Sequence, residues 1–113
     1  RMQQVFLNLI KNAVDAFGNH GKIWISAQEF FSEGRKEIEI LVSDNGPGIP
    51  PQAQEKIFDP FYTSKDVGKG SGLGLFIVHD IIESHGGTIT VDSRVGEGTT
   101  FIIWLPGETP STA

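Results

Sequence analysis

The sequence predicts a two-layer α/β sandwich, in which a mixed, mostly antiparallel sheet is covered on one face by helices. Three observations carry that expectation. Two stretches repeat apolar residues at the helical period, while four shorter ones alternate apolar and polar residues as half-buried strands do. With one further short helix, the order along the chain is αββααββ. Glycine clusters (Gly46 and Gly48; Gly68, Gly70, Gly72 and Gly74; Gly86 and Gly87; Gly96 and Gly98) punctuate these segments.

Residues 2–17 form the first helix. Val5, Phe6, Leu7, Leu9, Ile10, Ala13, Val14, Ala16 and Phe17 cover a wide apolar arc, and Gln4, Asn8, Lys11, Asn12 and Asp15 crowd into the remainder. A mostly buried helix with one polar stripe is expected. Residues 22–30 alternate through Ile23, Ile25 and Ala27, and residues 37–43 through Ile38, Ile40 and Val42. The turn signal Ser32-Glu33-Gly34-Arg35 joins them as a hairpin. After a loop over 44–51, residues 52–58 make a short helix, and 59–71 reads as a loop. Residues 72–85 form a second amphipathic helix with Leu73, Phe76, Ile77 and Ile81 inward, stopped by Gly86-Gly87. Strands over 88–93 and 100–105 follow, hinged at 95–98. No repeat is visible. One domain over 1–106 and a flexible tail over 107–113 are expected.

Composition narrows the function classes. The chain has 113 residues, which suits a single domain, and a formal net charge of −5, which argues against a general nucleic-acid or anionic-membrane binder. Zero cysteines remove disulfide scaffolds, thiolate zinc sites and cysteine nucleophiles together. No apolar run approaches the roughly 20 residues that span a bilayer. Glycine is the oddity: 14 residues, about 12% against a usual share of roughly 7%.

Five constellations carry chemistry. Asn8 and Asn12, poor helix formers inside a helix, stack one turn apart on one face. A carboxamide oxygen there suits a hard cation such as Mg²⁺; a solvated polar face is the competing reading. In Ser43-Asp44-Asn45-Gly46-Pro47-Gly48-Ile49-Pro50, Asp44 leaves a strand end where it can accept from an exocyclic amine. A plain Asp-Asn-Gly turn explains the same residues. Gly68-Lys69-Gly70-Ser71-Gly72-Leu73-Gly74-Leu75 runs into a helix N-terminus, which favours an anion, although a generic flexible loop fits as well. It is neither a P-loop nor a dinucleotide fingerprint, because the glycine spacings of both fail. Asp59-Pro60-Phe61-Tyr62-Thr63-Ser64-Lys65 opens the irregular stretch, where Phe58 and Phe61 can anchor a lid and Lys65 can reach phosphates. Finally, Gly96-Glu97-Gly98-Thr99-Thr100-Phe101 enters the last strand with room for close backbone approach.

Taken in this order, the five sets resemble the ATP-binding catalytic domain of sensor histidine kinases, in the superfamily that includes the type II topoisomerase and Hsp90 ATPases. Asn8-Leu9-Ile10-Lys11-Asn12-Ala13 resembles the N box, Asp44-Asn45-Gly46-Pro47-Gly48-Ile49 the G1 box, and Phe58-Asp59-Pro60-Phe61 the F box. Gly70-Ser71-Gly72-Leu73-Gly74-Leu75 resembles the G2 box, and Gly96-Glu97-Gly98-Thr99-Thr100-Phe101 the closing glycine motif. The resemblance implies a Bergerat fold that binds ATP and Mg²⁺ between the first helix and the lid. Asn12 is then the principal Mg²⁺ ligand, with Asn8 supporting metal and phosphates, and Asp44 binds the adenine amine in a pocket shaped by Gly46 and Gly48. Thr99 or Thr100 completes the base contacts. Gly70, Gly72, Leu73 and Gly74 cradle phosphates with help from Lys65, and Asp15, Ile49, Phe61, Thr63, Ser71 and Leu75 complete the nucleotide contacts. Asn8, Asn12 and Lys65 are the implied catalytic set.

One position separates subclasses. The ATPase branch carries a water-activating glutamate four residues before the metal asparagine; here Asn8 stands there, and an amide takes no proton at neutral pH. Transfer to an acceptor is therefore expected over hydrolysis, with an external histidine as nucleophile. The family's acceptor lies in a separate helical dimerisation domain. His79-Asp80 matches only its first two letters, and His79 and His85 read as ordinary helix residues. The expected partners are that helical domain and a downstream response regulator, in the cytoplasm, with no nucleic acid and no direct membrane contact. An N-terminal strand of the family pattern is expected to be missing before Arg1. Two rivals stand: an anti-sigma-type serine/threonine kinase, and a non-catalytic nucleotide-gated interaction module.

Overall fold

The computed structural model describes residues 2–17, 21–60 and 74–107. The first helix, α1 (Met2–Phe17), has the expected bounds. It buries a narrower face than its apolar arc suggests: Val5, Leu9 and Ala13 are buried, whereas Leu7 is 67% and Val14 45% exposed. The expectation of a mostly buried helix is corrected accordingly. A helix lying on one sheet face beside one neighbour has only one stripe to bury.

Strands β1 (Ile23–Ser32) and β2 (Arg35–Asp44) form the hairpin. Pairing continues to Ser32↔Arg35, so the loop has two residues, Glu33 (φ 52°) and Gly34 (φ 77°). Two consecutive positive φ values are the signature of a type I′ turn, whose twist matches that of the strands and lets the ladder run to the loop. Both strands are therefore longer than expected. The short helix α2 (Pro51–Gln54) ends early, because Lys56 and Asp59 donate to carbonyls three residues back and tighten the chain into turns.

Helix α3 (Gly74–Ser84) buries Val78, Ile81 and Ile82. Of the inward set expected, Ile81 holds its place, Ile77 flanks the core, Phe76 is 37% exposed, and Leu73 lies outside the described residues. Aliphatic residues surround this helix, so more than one face fits helical spacing. Its stop is a Schellman motif: Gly87 N–H donates to Ile82 O (3.0 Å), Gly86 N–H to Glu83 O (2.9 Å), and Gly86 takes φ 79°. His79 stands 3.7 Å from Glu83, and His85 Nδ1 lies 2.8 Å from Ile81 O, both within the helix's own turns.

Strands β3 (Thr88–Arg94) and β4 (Gly98–Pro106) complete a four-stranded sheet of order β1-β2-β4-β3. Among the described residues every strand pairing is antiparallel. Period-2 alternation points Ile40, Val42, Phe101, Ile103 and Ile89 toward the helices, where they meet Val5, Leu9, Ile57, Val78, Ile81 and Ile82 in one core. The opposite face carries Ser43, Thr100 and Trp104, the last 5.5 Å from the ring of Phe30. Phe58 anchors the end of its loop segment on the core, edge-on to Phe101 at 6.2 Å.

Candidate functional site

The core's inward alternation decides what happens at the end of the sheet. Asp44 lies two residues beyond Val42, so it stays on the helix-facing side, and it pairs with Thr99 of β4. Thr99 in turn pairs with Ser93 of β3. Asp44, Thr99 and Ser93 thus form a polar row across three strands, where the rows behind it are aliphatic and aromatic. Directly opposed residues bring their Cβ atoms to about 5 Å. Asp44 and Ser93 are half-buried, and Thr99, at 6% exposure, is the buried polar residue of the described chain. Thr100 points to the other face, where its hydroxyl lies 2.9 Å from Ser43 Oγ. Of the two threonines singled out from the sequence, only Thr99 faces the site.

Two glycines let this row close. A Cβ on Gly98 (φ 114°) would stand 2.1 Å from Asp44 O, and one on Gly48 (φ 81°) 2.1 Å from Arg94 O. Only glycine fits where β4 starts against the Asp44 backbone and where the 45–50 loop lies on the end of β3. The loop is fixed along its length. Gly46 N–H donates to Asp44 Oδ1 (2.8 Å), a turn that orients the carboxylate and sequesters a buried amide. Lys22 N–H donates to Asn45 Oδ1 (2.7 Å) and Asn45 N–H to Lys22 O (3.3 Å). Gly96 N–H donates to Pro47 O (2.8 Å), and Gln54 Nε2 donates to both Ile49 O (2.8 Å) and Ser93 O (2.9 Å).

Ser93 is the hub. Its Oγ accepts from Ile49 N–H at 2.8 Å, donates to Gly98 O at 2.9 Å, and lies 2.8 Å from Thr99 Oγ1. Sequence reasoning missed both Ser93 and Gln54. A signal for Ser93 existed, since it occupies the inward phase set by Ile89 and Val91, where an aliphatic residue is the default. Gln54 carried no comparable signal.

The two carboxamides expected to serve a cation and phosphates lie on α1. Asn8 and Asn12 are both half-buried, and Asn8 Nδ2 donates to Gly74 O at 3.4 Å, tying α1 to the start of α3. Leu75 follows Gly74 and packs against the core. Asp15 is exposed on the same helix. Among the described residues no three His, Asp or Glu side chains gather as a metal cluster. Phe61, Thr63, Lys65, Gly70, Ser71, Gly72 and Leu73 lie outside the described residues. No helix among the described residues is long and apolar enough to cross a membrane.

The family model of the histidine kinase-, DNA gyrase B- and HSP90-like ATPases matches residues 1–109. The sensor histidine kinase ZraS of Escherichia coli (strain K12) is 47% identical over 106 residues, a match covering 94% of this chain and 22% of that protein. The catalytic domain of histidine kinase ThkA, in a nucleotide-free form, is 40% identical with a TM-score of 0.77, over 93% of this chain and 65% of that one. ThkA in complex with response regulator protein TrrA gives 35% identity and a TM-score of 0.72, over 100% of this chain and 30% of that one. Full-length ShkA in complex with AMPPNP gives 30% identity and a TM-score of 0.77, over 96% of this chain and 22% of that one. The chain spans about a fifth of the length of the curated relative ZraS.

Proposed function

Because the chain belongs to the family of histidine kinase-, DNA gyrase B- and HSP90-like ATPases, we propose that it binds Mg·ATP and supplies the γ-phosphate to a histidine on a separate helical dimerisation domain. The observation that carries the nucleotide half is the Asp44–Thr99 pair, held on one face at the sheet end by two glycines that no other residue can replace. Asp44 accepts from the adenine amine, Thr99 completes the base contact, and Gly46, Gly48 and Ile49 form the wall. ShkA, which shares the fold, has been seen with AMPPNP.

Asn8 supports the transferase half. An amide in that position cannot abstract a proton from water, and its carboxamide is engaged with Gly74 O. Asn12, one turn further along α1, offers a half-buried carboxamide oxygen to Mg²⁺, with Lys65 and the glycines of 70–74 at the phosphates. Bound Mg²⁺ would neutralise charge on the transferring phosphoryl group. Asn12→Ala should remove the dependence of nucleotide affinity on Mg²⁺, read by titrating a non-hydrolysable ATP analogue with and without the ion. A variant that keeps the wild-type Mg²⁺ dependence would take Asn12 out of the role.

By analogy with ThkA and TrrA, the phosphorylated partner would pass its phosphoryl group to a response regulator, and both steps belong in the cytoplasm. The chain incubated alone with γ-labelled ATP is expected to remain unlabelled. Adding a helical acceptor domain in trans should yield acid-labile phosphohistidine on that domain. Acid-stable phosphoserine would favour the anti-sigma-type alternative, and absence of transfer the non-catalytic module.

A further inference from the structure

We propose that Ser93 is a positioning residue that dictates which purines the site accepts, by fixing the direction in which the Thr99 hydroxyl points. The inference rests on the nucleotide reading above and adds a residue and a selection rule to it.

A serine hydroxyl has one proton and two lone pairs. At Ser93 all three are claimed, each by a different group. Ile49 N–H, 2.8 Å away, can only donate, so it occupies one lone pair. Gly98 O, 2.9 Å away, can only accept, so it takes the proton. What remains for Thr99 Oγ1, at 2.8 Å, is a lone pair, and Thr99 must therefore be the donor. With its proton committed to Ser93, Thr99 presents lone pairs alone to anything bound beside it. Its neighbour across the strand pair is Asp44, whose carboxylate oxygens also accept, one of them already receiving Gly46 N–H.

The two side chains at the sheet end therefore act as acceptors together. That arrangement suits a ligand edge bearing a primary amine, such as a 6-aminopurine, which has two N–H bonds to give. A 6-oxopurine places a carbonyl in the same position and meets two acceptors with no proton between them, leaving polar groups desolvated and unpaired. Ser93 touches no ligand in this scheme. It acts through Thr99, and its hold on Ile49 N–H and Gly98 O keeps the loop and strand from which the row is built in one geometry.

The test compares binding of non-hydrolysable ATP and GTP analogues, with Mg²⁺, to the full chain and to Ser93→Ala, Thr99→Val and the double variant. Ser93→Ala releases the Thr99 proton to point into the site. Affinity for the ATP analogue should fall by less than about tenfold, because the freed Thr99 hydroxyl can still turn a lone pair to the amine, and preference over the GTP analogue should narrow chiefly because that hydroxyl can now also donate to the carbonyl. In the Thr99→Val background, Ser93→Ala should change that preference no more. Ser93→Thr, which keeps the hydroxyl, should restore it. If the two effects simply add, Ser93 serves shape alone and the inference is wrong. If the wild-type chain binds neither analogue, the nucleotide reading falls and takes this inference with it; if it binds the ATP analogue and Ser93→Ala leaves the preference intact, only this inference falls. Should Ser93→Ala not fold, Ser93→Cys keeps the volume with a much weaker donor and acceptor, and the same narrowing is expected.

Discussion

Asp44→Ala should lower affinity for an ATP analogue by at least about a hundredfold, the consequence of removing one hydrogen bond to a carboxylate and one turn at once. The side chain does two jobs. One oxygen accepts Gly46 N–H at 2.8 Å, which shapes the loop, and the carboxylate faces the position opposite Thr99. Alanine leaves the buried Gly46 amide without its partner and strips the pocket of its charged acceptor. The loop's other ties, through Asn45, Pro47 and Ile49, keep the fold standing. Titration calorimetry against an unfolding curve separates the two effects: affinity should collapse in a protein that still unfolds in one cooperative transition, destabilised by about the 1–3 kcal/mol of one unpaired buried amide. Wild-type affinity in Asp44→Ala would sink the adenine assignment.

The largest stability effect is expected at Gly98→Ala. The new methyl would stand 2.1 Å from Asp44 O and 3.1 Å from both Asn45 Cα and Asp44 C, all backbone atoms with no rotamer to yield. Its φ of 114° adds strain that an L side chain rarely bears. Strands β2 and β4 must part at the Asp44↔Thr99 pair, and a loss of about 3 kcal/mol or more is expected in denaturant unfolding. Gly96→Ala is the internal comparison. Its φ is also positive, 84°, but a Cβ there meets nothing within 4 Å. That variant should lose only the conformational part, about 1 kcal/mol. Equal losses in the two variants would show that close approach at Gly98 is not what demands glycine.

Much of this was legible in the residues because it depends on period and punctuation. The bounds of α1 follow from its apolar spacing, and the hairpin follows from alternation on either side of Glu33-Gly34. What alternation could not convey is where a face stops being covered. Leu7 and Phe76 belong to apolar arcs as convincing as those of Leu9 and Ile81, and only the placement of one helix beside the other leaves them exposed. The choice between Thr99 and Thr100 is of a different kind. Adjacent residues in a strand face opposite ways, so the answer needed the register of β4 against β2, which two distant segments set together. Ser93 shows in the sequence only as a polar residue in an inward phase; its role depends on Ile49, which reaches it from the distant 45–50 loop, and on the turn that folds Gly98 and Thr99 back beside it.

The strand order has a consequence for how the site comes into being. Each outer pair, β1 with β2 and β3 with β4, is a local hairpin closed by its own short turn, and the β2–β4 seam joins the two halves across most of the chain. Asp44 belongs to the first half, Thr99 and Ser93 to the second. Neither hairpin holds the polar row alone; the candidate site is a property of the join. On the proposed nucleotide reading, ligand affinity would be a gauge of long-range assembly, lost in a chain whose halves have folded but not met.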